Sequence, residues 1–157
     1  MHTVIILLDK AGSRFIPIWI GAHEGEQIAV GLRNFATTRP LTYSFVGKIL
    51  EATRAKVAEV RVESLKDETF YGVARLQIGQ TTQEIDARSS DALALAPQVG
   101  CPIYVTGKVF EKAGVPMANL EASLGPDIQG IDSLLKGLEI KIQSRLARLN
   151  DIQAEKD

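Results

Sequence analysis

The chain has 157 residues and a mass of 17.1 kDa, with 45% hydrophobic and 24% charged residues, which suits one globular domain and leaves two full domains cramped. Eighteen Lys+Arg against nineteen Asp+Glu give a net charge of -1. That excludes a polybasic binder resting on global phosphate neutralisation but leaves room for a local basic patch.

Val4 to Leu8 is a short apolar run and predicts a buried strand. It is too short for a signal-peptide core or a membrane span, so the expected location is the cytoplasm. Phe15 to Ile20 predicts a second strand. Pro17 places it at an edge or a bulge, because proline lacks a ladder donor, and Gly21 ends it. From His23 to Phe35, Ile28, Leu32 and Phe35 fall at helical spacing, weakened by Gly25 and Gly31. Pro40 bars an earlier helix start and Thr42 is the expected N-cap. Phe45, Val46, Ile49, Leu50 and Thr53 then trace one face of a second helix.

Val60 and Val62 alternate with polar neighbours as a half-buried strand, and Leu65 to Thr69 reads as a tight turn. Phe70, Gly72, Ala74, Leu76 and Ile78 then alternate with Tyr71, Val73, Arg75 and Gln77. After Gly79 a third strand through Glu84 to Asp86 completes an antiparallel meander. Ser89-Ser90-Asp91 reads as the cap and first turn of a helix through Ala96, which Pro97 shortens or kinks. Pro102 to Val105 is a further strand, and Val109 to Ala113 a small helix closed by Gly114. The expected fold is α+β, with a mixed, largely antiparallel sheet packed with helices. It occupies residues 1–114. Residues 115–130, punctuated by Pro116, Gly125, Pro126 and Gly130, read as linker or loop. Residues 131–157 read as an amphipathic C-terminal helix with Leu135, Leu138, Ile142, Leu146, Leu149 and Ile152 on one stripe, suited to the domain's own core or to a second subunit.

A single cysteine, Cys101, excludes an intramolecular disulfide and a Cys-based zinc cluster, and reads as a small buried hydrophobe. Two histidines, His2 and His23, leave little for a multi-histidine metal site or a His-centred triad. There is no Walker loop, GxGxxG, HExxH, CxxC or GxSxG. Two clusters stand above this background. In the first, Glu84, Asp86 and Arg88 alternate on one strand face and Asp91 opens the next helix. Carboxylates placed so could hold a divalent cation that polarises a phosphoryl group, and the helix N-terminus adds donors for an anion. Equally, Asp86 and Arg88 could be a locking ion pair and Asp91 a complement to the helix dipole. The second cluster runs from Lys66 to Tyr71, where Asp67 suits an Asx turn and Tyr71 either packs across strands or offers its phenol to a ligand. Trp19 reads as core or interface. His23 and Glu24, beyond a strand end, include the one well-placed histidine base, or else a solvated loop histidine.

The stretches PIWIG (17–21), RPLT (39–42), LKDETFYGVARL (65–76), IDARSSDALALA (85–96) and PIYV (102–105) resemble, in this order, the bifunctional nuclease (BFN) domain family across about residues 4–114. The family's Asp-Gly turn appears here as Asp67-Glu68, its Ala-Arg-Pro-Ser-Asp as Ala87-Arg88-Ser89-Ser90-Asp91, and its Leu-Thr-His-Asp as Leu41-Thr42-Tyr43-Ser44. The last change removes a histidine and a carboxylate. The resemblance implies a domain linked to cleavage of DNA and RNA. Chemistry placed on the matching positions gives Glu84, Asp86 and Asp91 as ligands of Mg²⁺ or Mn²⁺. It makes Arg88 the stabiliser of phosphate charge and Asp67 a further ligand or base. The expected partner is nucleic acid, bound weakly, with no membrane, and the protein is expected to be a homo-oligomer, as a dimer. The alternative is a non-catalytic oligomeric binding or regulatory module with a structural acidic cluster.

Overall fold

The computed structural model describes residues 2–124; the expected helix over 131–157 lies outside them. Strands β1 (His2–Leu8) and β2 (Arg14–Gly21) form a hairpin, followed by helices α1 (Ala22–Arg33) and α2 (Thr42–Ala52). Strands β3 (Ala55–Lys66), β4 (Thr69–Ile78) and β5 (Thr81–Arg88) form the predicted meander, with α3 (Ser89–Val99) following β5 directly. Next come β6 (Ile103–Val105), α4 (Gly107–Ala113), β7 (Val115–Pro116), a short 3-10 turn and α5 (Leu120–Leu124). One sheet has the order β1-β2-β7 and the other β5-β4-β3-β6. Among the described residues only β6 pairs in parallel, alongside β3. The fold is α+β, as the alternation of periods predicts.

Alternation decides what each sheet buries. In β3 and β4, Val57, Val60, Val62 and Ala74 face inward and join Leu93, Ala94 and Ala96 of α3, Ile16 and Ile18 of β2, and Val105 and Val109 in the main core. The opposite face of the same strands is charged, with Arg61 at its centre. Pro17 pairs with Ile6 on one side only, because β7 reaches no further along β2 than Arg14 and Phe15. The missing donor therefore falls on a free edge, as expected.

Several local expectations change. Thr42 is the first helical residue and Leu41 the N-cap; likewise Arg88, not Ser89, caps α3, and neither cap makes a side-chain bond. Helix α3 runs through Pro97 to Val99 and stops at Gly100 (φ 72°). Trp19, read as core or interface, is 52% exposed, which removes the core reading alone. The stretch 115–124 is a strand, a turn and a helix, because Leu120 and Leu124 close over Phe15 as a small second core. Cys101 is buried, and burial pushes its thiol up to about 11, which fits the bland reading.

Candidate functional site

Three helices begin at one place. Glu24 is the third residue of α1, Tyr43 the second of α2, and Arg88 and Asp91 are the N-cap and third residue of α3. Positions N-cap and N3 are neighbours in any helix start. Here they carry an ion pair: Arg88 Nε donates to Asp91 Oδ2 at 2.6 Å and Nη2 to Oδ1 at 2.9 Å. The Tyr43 hydroxyl donates to Asp91 Oδ1 at 2.5 Å, and Arg88 Nη1 to Glu24 Oε1 at 3.4 Å. One guanidinium thus ties α1 to α3, and one carboxylate ties α3 to α2.

Two glycines make room for this junction. A Cβ on Gly21 would collide with Glu24 Oε2, so the carboxylate occupies the space a side chain would need. A Cβ on Gly72 would stand 3.0 Å from the Arg88 carbonyl oxygen, 3.1 Å from Ala92 Cβ and 3.1 Å from Ser89 Cα. The turn from β5 into α3 therefore lies directly on β4, and the Gly of FYG permits it.

Electrostatics fix the protonation states. The Arg88 guanidinium, and then the Tyr43 hydroxyl, hold the Asp91 carboxyl below its ordinary range against the effect of partial burial. Burial, the hydrogen bond to Asp91 and its negative charge push the Tyr43 phenol up to about 12. The Arg88 guanidinium is raised further by its bonds to Asp91. Near neutrality the site is therefore Arg⁺, Asp⁻ and a neutral phenol. Arg88 remains 64% exposed. Three of its five N–H groups bond to Asp91 and Glu24, which leaves two for a ligand.

The structure brings together Arg88 and Asp91 but not the other predicted site residues. Glu84 lies four residues, about 13 Å, along β5 from Arg88, and accepts from Arg61 Nη2 at 2.7 Å. That buried guanidinium also bonds to Glu63 and lies 3.4 Å from Glu59. Asp86 is exposed on β5 opposite Val73. Asp67 lies in the β3–β4 turn, on the order of 10 Å along the hairpin from Tyr71, the residue opposite Arg88. Glu84, Asp86 and Asp91 do not form one cation site. A metal on Asp91 would have to displace Arg88 or Tyr43, and one on Glu84 would have to displace Arg61. Among the described residues, no three His, Cys, Asp or Glu side chains gather to hold a metal ion.

Sequence reasoning passed over Glu24 and Tyr43 as site members. Glu24 was legible as an acid just past a strand-ending glycine. Tyr43 stands where the family pattern has a histidine, but its contact with Asp91 spans 48 residues and is not readable from spacing. A groove of about 600 Å³ between α2, the start of β3 and Gly100 to Pro102 holds none of the predicted site residues. No helix among the described residues is long and apolar enough to cross a membrane.

The family model for the bifunctional nuclease domain matches residues 5–118. Uncharacterized proteins from two strains of Mycobacterium tuberculosis are 36% identical over 112 residues, which is 71% of this chain and 66% of each relative. The match therefore spans just under two thirds of those proteins.

Proposed function

The chain belongs to the bifunctional nuclease domain family, and from that premise we propose that it hydrolyses phosphodiester bonds of DNA and RNA where α1, α2 and α3 begin. The observation carrying this reading is the convergence of three helix N-termini on one exposed, immobilised guanidinium. Each N-terminus is equivalent to about +0.5 charge. Roughly +1.5 of dipole charge thus outweighs the net -1 of Glu24, Arg88 and Asp91, and favours an anion.

In this reading the two remaining N–H groups of Arg88 bind a phosphate oxygen and stabilise the charge that grows there in the transition state. Asp91 is a positioning residue that holds Arg88 in one orientation, and Tyr43 holds Asp91. Glu24 is the carboxylate beside the guanidinium that takes the proton from an attacking water; as the water oxygen bonds to phosphorus, the P–O bond to one sugar oxygen breaks and that departing oxygen takes a proton from solvent. Glu84 and Asp67 have no part, being held by Arg61 and placed in a distant turn. No step is assigned to a metal in this reading, since Asp91 is engaged by Arg88 and Tyr43 and Glu84 by Arg61.

The test compares highly purified wild type with Arg88→Lys and Asp86→Ala on single DNA and RNA substrates, each with Mg²⁺, Mn²⁺ or EDTA. Arg88→Lys keeps the charge and loses the fork, so kcat should fall about 100-fold or more, while Asp86→Ala should cleave as wild type does. Undiminished cleavage by folded Arg88→Lys would overturn the site and point to a contaminant. A defect confined to Asp86→Ala and rescued by Mn²⁺ would restore the carboxylates as ligands.

One observation favours the non-catalytic, self-associating reading. Helix α2 has no buried residue and leaves Phe45 57% and Ile49 46% exposed, one turn apart, a surface suited to a second copy of this chain. Sedimentation of Phe45→Glu/Ile49→Glu decides it: a dimer that becomes a monomer supports this reading, and an unchanged mass ends it.

A further inference from the structure

Beside Arg88 the sheet carries an unabsorbed aromatic. Tyr71 of β4 lies directly opposite Arg88 of β5, on the face away from the core, and is 40% exposed. Directly opposed residues hold their Cβ atoms about 5 Å apart, so the Tyr71 and Arg88 side chains leave neighbouring strands on the same face, with the Arg88 guanidinium tied to Asp91 and Glu24. The Lys66 Nζ sits 5.6 Å from the centre of the Tyr71 ring, and Lys66 is exposed at the end of β3. An exposed phenol with one cation over its ring and a second on the strand beside it combines a stacking platform with contacts for the backbone.

We infer that Tyr71, Lys66 and Arg88 form a binding platform for single-stranded nucleic acid, one unstacked base lying on Tyr71 and its flanking phosphates meeting Lys66 and Arg88. This rests on the proposed phosphate role of Arg88 and names the substrate class for that site. Duplex bases are stacked and paired, so their faces cannot reach a ring standing on a sheet; a single strand offers them. Stacking and phosphate contact are common to DNA and RNA, so the platform takes either sugar. The track is short. Past Val73 the same face carries Asp86 and two arginines already paired with glutamates, Arg61 with Glu84 and Arg75 with Glu59, which bounds the footprint to a few nucleotides. The two cations differ in kind. Arg88 is already outnumbered by its carboxylates and holds phosphate through directed N–H bonds, whereas Lys66 adds charge and displaces a counterion.

The test is fluorescence anisotropy of a labelled DNA 12-mer, its RNA equivalent and the blunt DNA duplex, with EDTA, over a salt series. Wild type should bind both single strands about tenfold or more tightly than the duplex. Tyr71→Ala should lose about tenfold, while Tyr71→Phe, which keeps the ring, binds as wild type. Lys66→Ala should make the salt slope shallower by about 0.7. Equal or tighter duplex binding, or an unchanged Tyr71→Ala whose melting curve matches wild type, overturns the platform. So does loss of binding in Tyr71→Phe equal to that in Tyr71→Ala, which would make the hydroxyl the contact. The two readings fail separately. Single-strand binding without any cleavage removes the hydrolytic proposal alone, and Arg88-dependent cleavage with Tyr71→Ala binding intact removes the platform alone.

Discussion

Removing one oxygen, by Tyr43→Phe, should lower stability by about 1–2 kcal/mol near pH 7. The bond to Asp91 is short, at 2.5 Å, and its acceptor is charged, a class worth about 1.5–3 kcal/mol. Two features keep the loss at the low end. Asp91 retains both contacts to Arg88, and its side chain is 34% exposed, so water takes up part of the deficit. The pH dependence separates this bond from simple packing. The Asp91 carboxyl is lowered in the folded state, so its contribution is present above the unfolded value near 3.9 and is lost as pH falls through the folded value. The Tyr43 phenol is raised to about 12, so its contribution is present below the unfolded value near 10 and is lost as pH rises through the folded one. The difference between wild type and variant should therefore plateau between about pH 5 and 9 and shrink at both ends. Urea denaturation followed by circular dichroism at pH 2.5, 7 and 11 measures it. An identical difference at all three values would refute the argument and reduce Tyr43 to a packing residue.

Glu68→Gly should stabilise the protein. Asp67 and Glu68 have φ of 48° and 60°, both left-handed in a two-residue hairpin turn. Relief of about 1–2 kcal/mol of steric cost, less about 0.5–1 kcal/mol for glycine's freer unfolded chain, leaves a net gain of about 0.5–1 kcal/mol, read as a higher urea midpoint; a lower one contradicts it. Gly72→Ala should cost about 1–3 kcal/mol and reduce cleavage with it, because the added methyl meets the backbone that carries Arg88; thermal melts that match wild type would show that the β5–α3 turn gives way freely. Arg61→Met should cost about 2–3 kcal/mol, since it leaves Glu63 and Glu84 without their cation and Glu59 with Arg75 alone. Raising salt should recover part of this loss; a salt-independent loss would assign it to side-chain shape.

The fold was legible wherever a side chain's position follows from its neighbours in sequence. The two-residue period of 70–78 and the helical spacing of 42–53 gave β4 and α2 to within a few residues. Legibility failed where a distant partner decides. Pro116 and the residues after it look like loop chemistry, yet Leu120 and Leu124 fold because Phe15, a hundred residues earlier, needs covering. Glu84, Asp86 and Arg88 share one face of β5, as their alternation indicates, and the structure gives Glu84 and Arg88 separate partners. Glu84 and Asp91 share a short segment but answer to different arginines, one on β3 and one at the head of α3. Spacing along a strand shows which residues share a side; it does not show which neighbouring strand supplies the counter-charge. Gly21 reads as a strand end and Gly72 as one of an alternating run, but the reason for each is the volume claimed by Glu24 and by the β5–α3 turn.

The near-neutral composition looks at first like an argument against any nucleic-acid chemistry, and the arrangement of charge alters its weight. Residues 1–114 hold 13 Lys+Arg and 12 Asp+Glu, so no long-range field draws a polyanion in, and fast, steered capture is not the mechanism to look for. Arg88 is held by two carboxylates, so its attraction for phosphate comes from fixed N–H groups and converging helix ends, both short-ranged. Short-ranged forces reward orientation more than approach. A site built this way binds weakly and releases quickly, and its discrimination appears in kcat more than in KM. Arg88→Lys and Tyr43→Phe should therefore act mainly on kcat, with Tyr43→Phe the milder of the two. A fall in both variants seen only as raised KM would mean that the junction merely holds substrate, and that the chemistry resides elsewhere on the chain.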